Sequence, residues 1–348
     1  MRSSSTLLRA VAQGATSPAY SKGLAYATDL VRRADHEAIY VSYFYPAAVR
    51  PAYLALRALN VELASLPDQV SNQIVGRMRF QWWKEALKGV DEGNAPPHPL
   101  VALLAALPQR PFLSSYHFSR LIGSREAHFL SPTFASLGDL AEYAAGTQAS
   151  LLYLLLQATA ANPSLLANAP EQPSSARHSR PFVHAGDEHA ALGQGDAGAP
   201  LKEADDLTLD HAASHLAVAN TIATLLRSIP HHASQRINVI PLEVAARHDL
   251  QEEALFRQGP SARGLQDAVA SLAGIAEAEL RTARECFHGT TGVPRRALPV
   301  MLSATSTRSY LERLASPKVD YNPFHADLHR RYWKLPFQVW GDSRKGTF

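Results

Sequence analysis

Long apolar stripes with the roughly 3.6-residue period of an α-helix constrain the fold of this chain more than any other feature. The clearest stripe runs from Leu265 to Phe287, and the same pattern recurs in Ala47–Leu66 and Met78–Val90. No comparable set of alternating polar and apolar residues indicates β-strands. The sequence therefore predicts an all-α fold in which helices form a single-domain bundle around a central cavity.

Seven further segments are also predicted to be helical. They are Asp29–Asp35, Leu100–Leu107, Tyr116–Ile122, Leu137–Thr159, Ala212–Ser228, Pro241–Arg247 and Leu298–Leu314. No apolar run approaches the roughly 18 to 20 residues that a membrane-spanning helix needs, so no transmembrane segment is expected.

The segment from Asn162 to Leu207 interrupts this helical pattern. It is rich in Pro, Ser, Gly, Ala and His and has no sustained apolar period. Such a composition favours a loop or disordered insertion. A domain boundary is the alternative, but the predicted helices on both sides are alike in character. We therefore expect one helical domain over residues 29–348, with an insertion at about 162–207.

The N-terminal 28 residues differ from the rest in charge. They contain Arg2, Arg9 and Lys22 but no acidic residue, and they are rich in serine, alanine and leucine. This composition is typical of a mitochondrial transit peptide, so we predict a leader at residues 1–28 that is cleaved before about Asp29. An ordinary chain terminus that lacks acidic residues is the alternative.

Charge also argues against one class of partner. Outside the N-terminal segment, the 31 remaining basic residues balance the 31 acidic ones. A nucleic-acid-binding protein usually carries a clustered basic surface, so no nucleic acid is expected as a partner.

Two regions carry chemistry-bearing motifs. The first comprises ALRALNVELASLPD (Ala55–Asp68) and RMRFQWWKEAL (Arg77–Leu87), and the second is HAASHLAVANTIATLLRSIPHHASQRINVIP (His211–Pro241). They resemble the squalene/phytoene synthase family, in whose active members both helices carry aspartates one turn apart. Residues at i and i+4 share a helix face, and magnesium prefers hard oxygen ligands, so the aspartates bind magnesium that bridges a prenyl diphosphate.

In the first motif, the resemblance places Ala64 at the first carboxylate position and Asp68 at the second. Glu62 lies beside them on the same helix. One of the two expected carboxylates is therefore present.

In the second motif, Arg227 matches the family's arginine, whereas Ser228 and His232 occupy the two carboxylate positions. Arg236 matches the basic residue that follows the motif. Imidazole suits zinc or copper better than magnesium, and a serine hydroxyl is a weak ligand. The comparison therefore predicts a degenerate cavity with no catalytic residue, no metal and no cofactor.

Further motifs match one branch of this family more closely. NVELA, WWKEA, YAAGTQASLLYL, DHAASH and LRSIP follow the segment YATDLVRRADHEAIYVSYFYP in order. They resemble the branch that supports assembly of mitochondrial respiratory complex I, NADH:ubiquinone oxidoreductase. The resemblance implies a non-catalytic matrix protein, peripheral to the inner membrane, with complex I subunits or assembly intermediates as partners.

Two other functions stay open at this stage. An enzyme that processes isoprenoid diphosphates would need a rearranged metal site, for which Glu62 or Glu85 are the nearest acids. A prenyl-lipid or quinone carrier would need no carboxylates at all.

Two further features have ordinary structural interpretations as well as functional ones. His211 and His215 have the i, i+4 spacing of zinc ligands, but a third ligand is not evident. The tail His329–Trp340 mixes basic and aromatic residues as membrane-interface segments do, although ordinary packing explains it equally well.

Overall fold

The computed structural model describes residues 17–70, 72–161 and 204–348, and these ranges contain helices and no β-strand, as predicted. In these ranges, no helix is long and apolar enough to cross a membrane. The α-helices are α1 (Pro18–Ala34), α2 (His36–Ser42), α3 (Arg50–Gln69), α4 (Gln73–Glu92), α5 (Pro99–Ala106), α6 (Ser115–Leu130), α7 (Leu137–Ala144), α8 (Ser150–Ala160), α9 (Asp206–Ser234), α10 (Leu242–Arg247), α11 (Glu252–Gln258), α12 (Leu265–Glu285), α13 (Leu298–Met301), α14 (Ser303–Leu314), α15 (Ala326–His329) and α16 (Leu335–Lys345).

The first helix is longer than predicted. It begins at Pro18 rather than at Asp29, because the Ser17 hydroxyl accepts a hydrogen bond from the Tyr20 amide at 3.1 Å and caps the helix. Gly23 and Ala27 are buried against the rest of the protein. Residues 1–16 of the predicted leader lie outside the described residues, whereas residues 17–28 form the cap and first turns of α1.

The predicted insertion lies mostly outside the described residues, which resume at Ala204. Asp205 caps α9 by accepting a hydrogen bond from the Thr208 amide at 2.8 Å. The helix therefore begins at Asp206, six residues before the predicted start, because this cap precedes the first strongly apolar turn.

Helix α9 lies at the centre of the bundle, where it packs along α12 and also contacts α14. Its buried face combines small residues such as Ala212 and Ala219, which let neighbouring helices approach closely, with Leu216 and Ile222. Fully burying a leucine or isoleucine side chain contributes about 1.5–3 kcal/mol. This packing fixes the orientation of the second motif at the end of α9.

The predicted helix Leu137–Thr159 contains a π-helical turn at Ala145–Ala149, between α7 and α8. At this turn the Thr147 hydroxyl donates to the Tyr143 carbonyl at 2.6 Å. Gly146 faces Ser124 of α6 so closely that an added Cβ would lie 2.6 Å from the Ser124 Cβ. A periodicity pattern cannot reveal a single inserted residue, so the sequence predicted one regular helix here.

Candidate functional site

The two motif helices meet at their C-terminal ends, where Asp68 of α3 contacts α9. His231 Nε2 lies 3.2 Å from Asp68 Oδ1, and the Gln235 side-chain amide donates to the same oxygen at 2.9 Å. Because a carboxylate oxygen only accepts, His231 Nε2–H is the donor. The structure therefore brings the first and second motifs together, but through His231 and Gln235, which were not among the predicted cavity residues.

Asp68 is ionised at neutral pH. Partial burial raises its pKa, but the hydrogen bonds from Gln235 and His231 lower it, and the net pKa lies below the ordinary value. The surviving carboxylate of the motifs thus already interacts with two protein donors.

The remaining positions of the first motif are also unsuited to metal binding. Ala64 is exposed and offers only a methyl group. Glu62 accepts a hydrogen bond from the Tyr26 hydroxyl of α1. Burial and the Glu62 contact raise the pKa of Tyr26 to about 12, so Tyr26 remains a donor at neutral pH. Glu62 therefore holds α1 against α3.

In the second motif, the two residues at the carboxylate positions bind backbone carbonyls of their own helix. The Ser228 hydroxyl donates to the Leu225 carbonyl at 2.8 Å, and His232 Nδ1 donates to the Ser228 carbonyl at 3.0 Å. Burial lowers the pKa of His232, so its imidazole is neutral at pH 7. Neither side chain supplies a negative charge for a cation.

The two arginines of this region are engaged elsewhere. Arg227 Nη1 lies 3.2 Å from Glu37 Oε2 of α2, and its guanidinium lies 4.8 Å from the centre of the Tyr310 ring. Arg236 pairs with Glu253 of α11 at 2.6 Å on the exposed surface. Arg227 therefore links α9 to α2, whereas Arg236, which follows α9, links to α11.

Behind the site, a second polar cluster links α3, α6 and α7. Arg125 donates to the Tyr143 hydroxyl at 2.7 Å and to Asn60 Oδ1 at 2.9 Å. The His128 ring stacks on Phe134, with ring centres 4.7 Å apart, and lies 4.6 Å from Tyr143. Burial lowers the pKa of His128 to about 4, with smaller contributions from nearby cations. This cluster was not predicted, because only tertiary packing brings Asn60 to Arg125, 65 residues away.

Other candidate ligands do not complete a metal site. His211 Nε2 and His215 Nε2 lie 3.1 Å apart, and His215 Nδ1 lies 2.6 Å from Glu279 Oε2. Glu85, on the exposed face of α4, accepts a hydrogen bond from Gln81 at 3.0 Å. In residues 17–70, 72–161 and 204–348, no group of three or more His, Cys, Asp or Glu side chains is placed to hold a metal ion.

A narrow apolar space lies beside the site, between α7, α9 and α12, and it has no room for a water molecule. Its walls are Leu140, Ile222, Leu225, Leu226, Ile229, Val239, Ile240 and Leu272.

Comparisons with known proteins agree with the resemblance seen in the motifs. The squalene/phytoene synthase family model matches residues 31–336. A mouse protein named NADH dehydrogenase (ubiquinone) complex I, assembly factor 6 is 30% identical over 339 residues, which cover 97% of this chain and 87% of that protein. The human protein of the same name is 28% identical over 323 residues, which cover 93% and 82% of the two chains.

Solved structures show the same fold. A dehydrosqualene synthase in complex with ligand superposes with a TM-score of 0.68 at 17% identity, covering 94% of this chain and 96% of the other. Squalene synthase HpnC from Alicyclobacillus acidocaldarius gives a TM-score of 0.63 at 16% identity, covering 87% and 95%. At identities of 16% and 17%, this similarity shows a shared arrangement of helices only.

Proposed function

The chain belongs to the squalene/phytoene synthase family and to its branch of complex I assembly factor 6 proteins. We propose that it is a non-catalytic assembly factor for mitochondrial respiratory complex I. Its partners are complex I subunits or assembly intermediates. It acts in the matrix, peripheral to the inner membrane, as a scaffold rather than as a synthase.

One observation carries the non-catalytic part of this proposal. At the four positions where the family resemblance expects carboxylates, the chain has Ala64, Asp68, Ser228 and His232. The single carboxylate, Asp68, is hydrogen-bonded to His231 and Gln235. Magnesium needs several oxygen ligands and binds prenyl diphosphates through carboxylates, so this arrangement does not support the metal-dependent chemistry of a synthase.

The two competing functions have less support. A rearranged metal site would use Glu62 or Glu85, but Tyr26 binds the first and the second lies on the exposed face of α4. A prenyl-lipid or quinone carrier needs an apolar cavity for the chain of its ligand. The space between α7, α9 and α12 is too small for that role.

Our proposal includes an N-terminal leader for import into the matrix, and the contacts of α1 support a leader that is shorter than residues 1–28. Helix α1 begins at Pro18, and its Tyr26 binds Glu62 of α3. Cleavage at residue 28 would remove this contact together with buried Gly23 and Ala27. We therefore place the end of the leader before Ser17.

Deletion of the gene in the source organism tests the assembly role. We expect a selective loss of assembled complex I on native gels stained for NADH dehydrogenase activity, and recovery when the intact gene is returned. Normal complex I in the deletion strain would refute the proposal. Purified protein incubated with prenyl diphosphates and magnesium should yield no product, whereas turnover would support the rearranged-site enzyme.

A further inference from the structure

The C-terminal helix α16 exposes an unusual set of aromatic residues. Phe337 and Trp340 are 67% and 57% exposed, and Trp333, in the turn just before the helix, is 70% exposed. The opposite face of α16 buries Leu335 and Val339 against the protein. Phe337 and Trp340 lie about one turn apart on α16, and the centre of the Trp333 ring lies 6.3 Å from that of Phe337, so these aromatic side chains form a single surface, here called the aromatic face.

Positive charge surrounds the aromatic face. The exposed cations of this segment are Arg330, Arg331, Lys334, Arg344 and Lys345. The one acidic residue between positions 330 and 345 is Asp342, which is buried. Its carboxylate accepts hydrogen bonds from Arg308 at 2.8 Å and from Thr305 at 2.7 Å. The outward charge of this segment is therefore entirely positive, although the chain as a whole is close to neutral.

A cleft adjoins the C-terminal end of the same helix. It has a volume of about 800 Å³ and combines cationic side chains with an apolar wall. Its cations are Arg295, Arg344 and Lys345, and Phe44 and Leu298 contribute to the wall. Such a cleft suits an anionic group attached to an apolar body, which is the chemistry of a phospholipid.

From these observations we propose that the aromatic face and its flanking cations dock the protein on an anionic lipid bilayer. This inference rests on the proposed peripheral location and names the surface responsible for it. Tryptophan favours the level of the lipid headgroups, and each nearby Lys or Arg adds attraction to an anionic surface. An 11-residue helix with one apolar outer face lies in the plane of the interface rather than across it.

Vesicle co-sedimentation of the full chain tests this proposal. We expect binding to vesicles of phosphatidylcholine mixed with phosphatidylglycerol, little binding to phosphatidylcholine alone, and weaker binding as salt is raised. The triple variant Trp333→Ser, Phe337→Ser, Trp340→Ser should bind at least about tenfold more weakly, because it loses most of the apolar area that enters the interface. Since all three side chains are exposed, the variant should fold.

A matched control separates this surface from general hydrophobicity. Ile74 and Met78 of α4 are 73% and 66% exposed, and the variant Ile74→Ser, Met78→Ser should bind vesicles like the wild type. Charge reversal at Arg330, Arg331 and Lys334 to Glu should abolish the preference for anionic vesicles. Equal binding by the aromatic variant, or equal loss in the α4 control, would overturn the proposal.

The test is independent of the assembly role. A chain that restores complex I but ignores both kinds of vesicle overturns lipid docking alone. A chain that binds anionic vesicles through the aromatic face, while its gene is dispensable for complex I, supports docking and overturns the assembly role. If the aromatic variant binds vesicles normally but loses a complex I intermediate, the face is a protein interface and lipid docking is wrong.

Discussion

The side-chain amide of Gln235 donates to the carboxylate of Asp68 at 2.9 Å and so joins residues 167 positions apart. The family resemblance places Asp68 at a carboxylate position, and in this protein its carboxylate links α3 to the residue that follows α9. The site therefore has a structural use for its last carboxylate.

Replacing Asp68 with Ala should cost little stability. The Asp68 and His231 side chains are 46% and 54% exposed, and exposed pairs of this kind contribute about 0–1 kcal/mol. Urea unfolding at neutral pH should show a loss within that range. Because the pKa of Asp68 is lowered in the folded protein, its contribution is present at neutral pH and is lost only as acid protonates it. Gln235→Ala is the matched control, and a loss of several kcal/mol in Asp68→Ala alone would contradict this view.

His128 should make the protein less stable as the pH falls. Its folded pKa is about 4, whereas an unfolded histidine titrates near a pKa of about 6.5. Below that unfolded pKa the unfolded chain binds a proton first, so the free energy of unfolding falls as the pH decreases toward 4. His128→Phe should keep the stacking on Phe134 and reduce the loss between neutral pH and pH 4 by about 3 kcal/mol.

The measurement is urea unfolding at several pH values between neutral and pH 4. The variant His288→Gln provides the control for replacement of an exposed histidine side chain. Some dependence should remain in His128→Phe, since burial also lowers the pKa of His117 to about 4. An identical slope in His128→Phe and wild type would show that His128 is not buried as described.

Gly146→Ala should disturb the packing of the π-helical turn against α6. The new Cβ would approach Ser124 Cβ to 2.6 Å, and overpacking of this kind costs about 1–3 kcal/mol. Gly123→Ala on α6 is the matched control, because an added Cβ there meets no atom within 4 Å. The control should be neutral or stabilised by up to about 1 kcal/mol. Equal thermal shifts in both variants would argue against close packing at Gly146.

The start of the mature protein can be tested by truncation. A chain that begins at Ser17 keeps all of α1, whereas one that begins at Asp29 loses Gly23, Ala27 and the Tyr26 contact with Glu62. We expect the first chain to unfold cooperatively on heating. The second should unfold at a clearly lower temperature or aggregate, because it exposes the surface that α1 covers. Equal melting temperatures would support cleavage near residue 28.

Much of the fold follows from patterns within single segments. The helix α12 occupies Leu265–Glu285, almost as predicted, because its stripe continues through five turns and dominates the local pattern. The short helices α11 and α15 were not predicted, because too few residues are present for a period to emerge. The early start of α1 was missed because the basic, acid-free composition of residues 1–28 pointed to a leader.

The candidate site, like the fold, could be predicted only in part from the sequence. The sequence itself shows that Ala64, Ser228 and His232 carry no carboxylate, and their match to the family's carboxylate positions stays a prediction from the resemblance. The partners of Asp68 could not be predicted, because His231 lies 163 residues away and only tertiary packing brings the two together. The contact between Glu37 and Arg227 was missed for the same reason, at a separation of 190 residues.

The most direct test of the central claim is complementation of the deletion strain with Asp68→Ala. If the protein assists complex I assembly without metal chemistry, this variant should restore assembled, NADH-oxidising complex I on native gels to the wild-type level. Expression of the variant must match that of the wild type on immunoblots. A stably expressed Asp68→Ala protein that fails to restore complex I, beside a wild-type gene that succeeds, would contradict the account and show that the remaining carboxylate is essential.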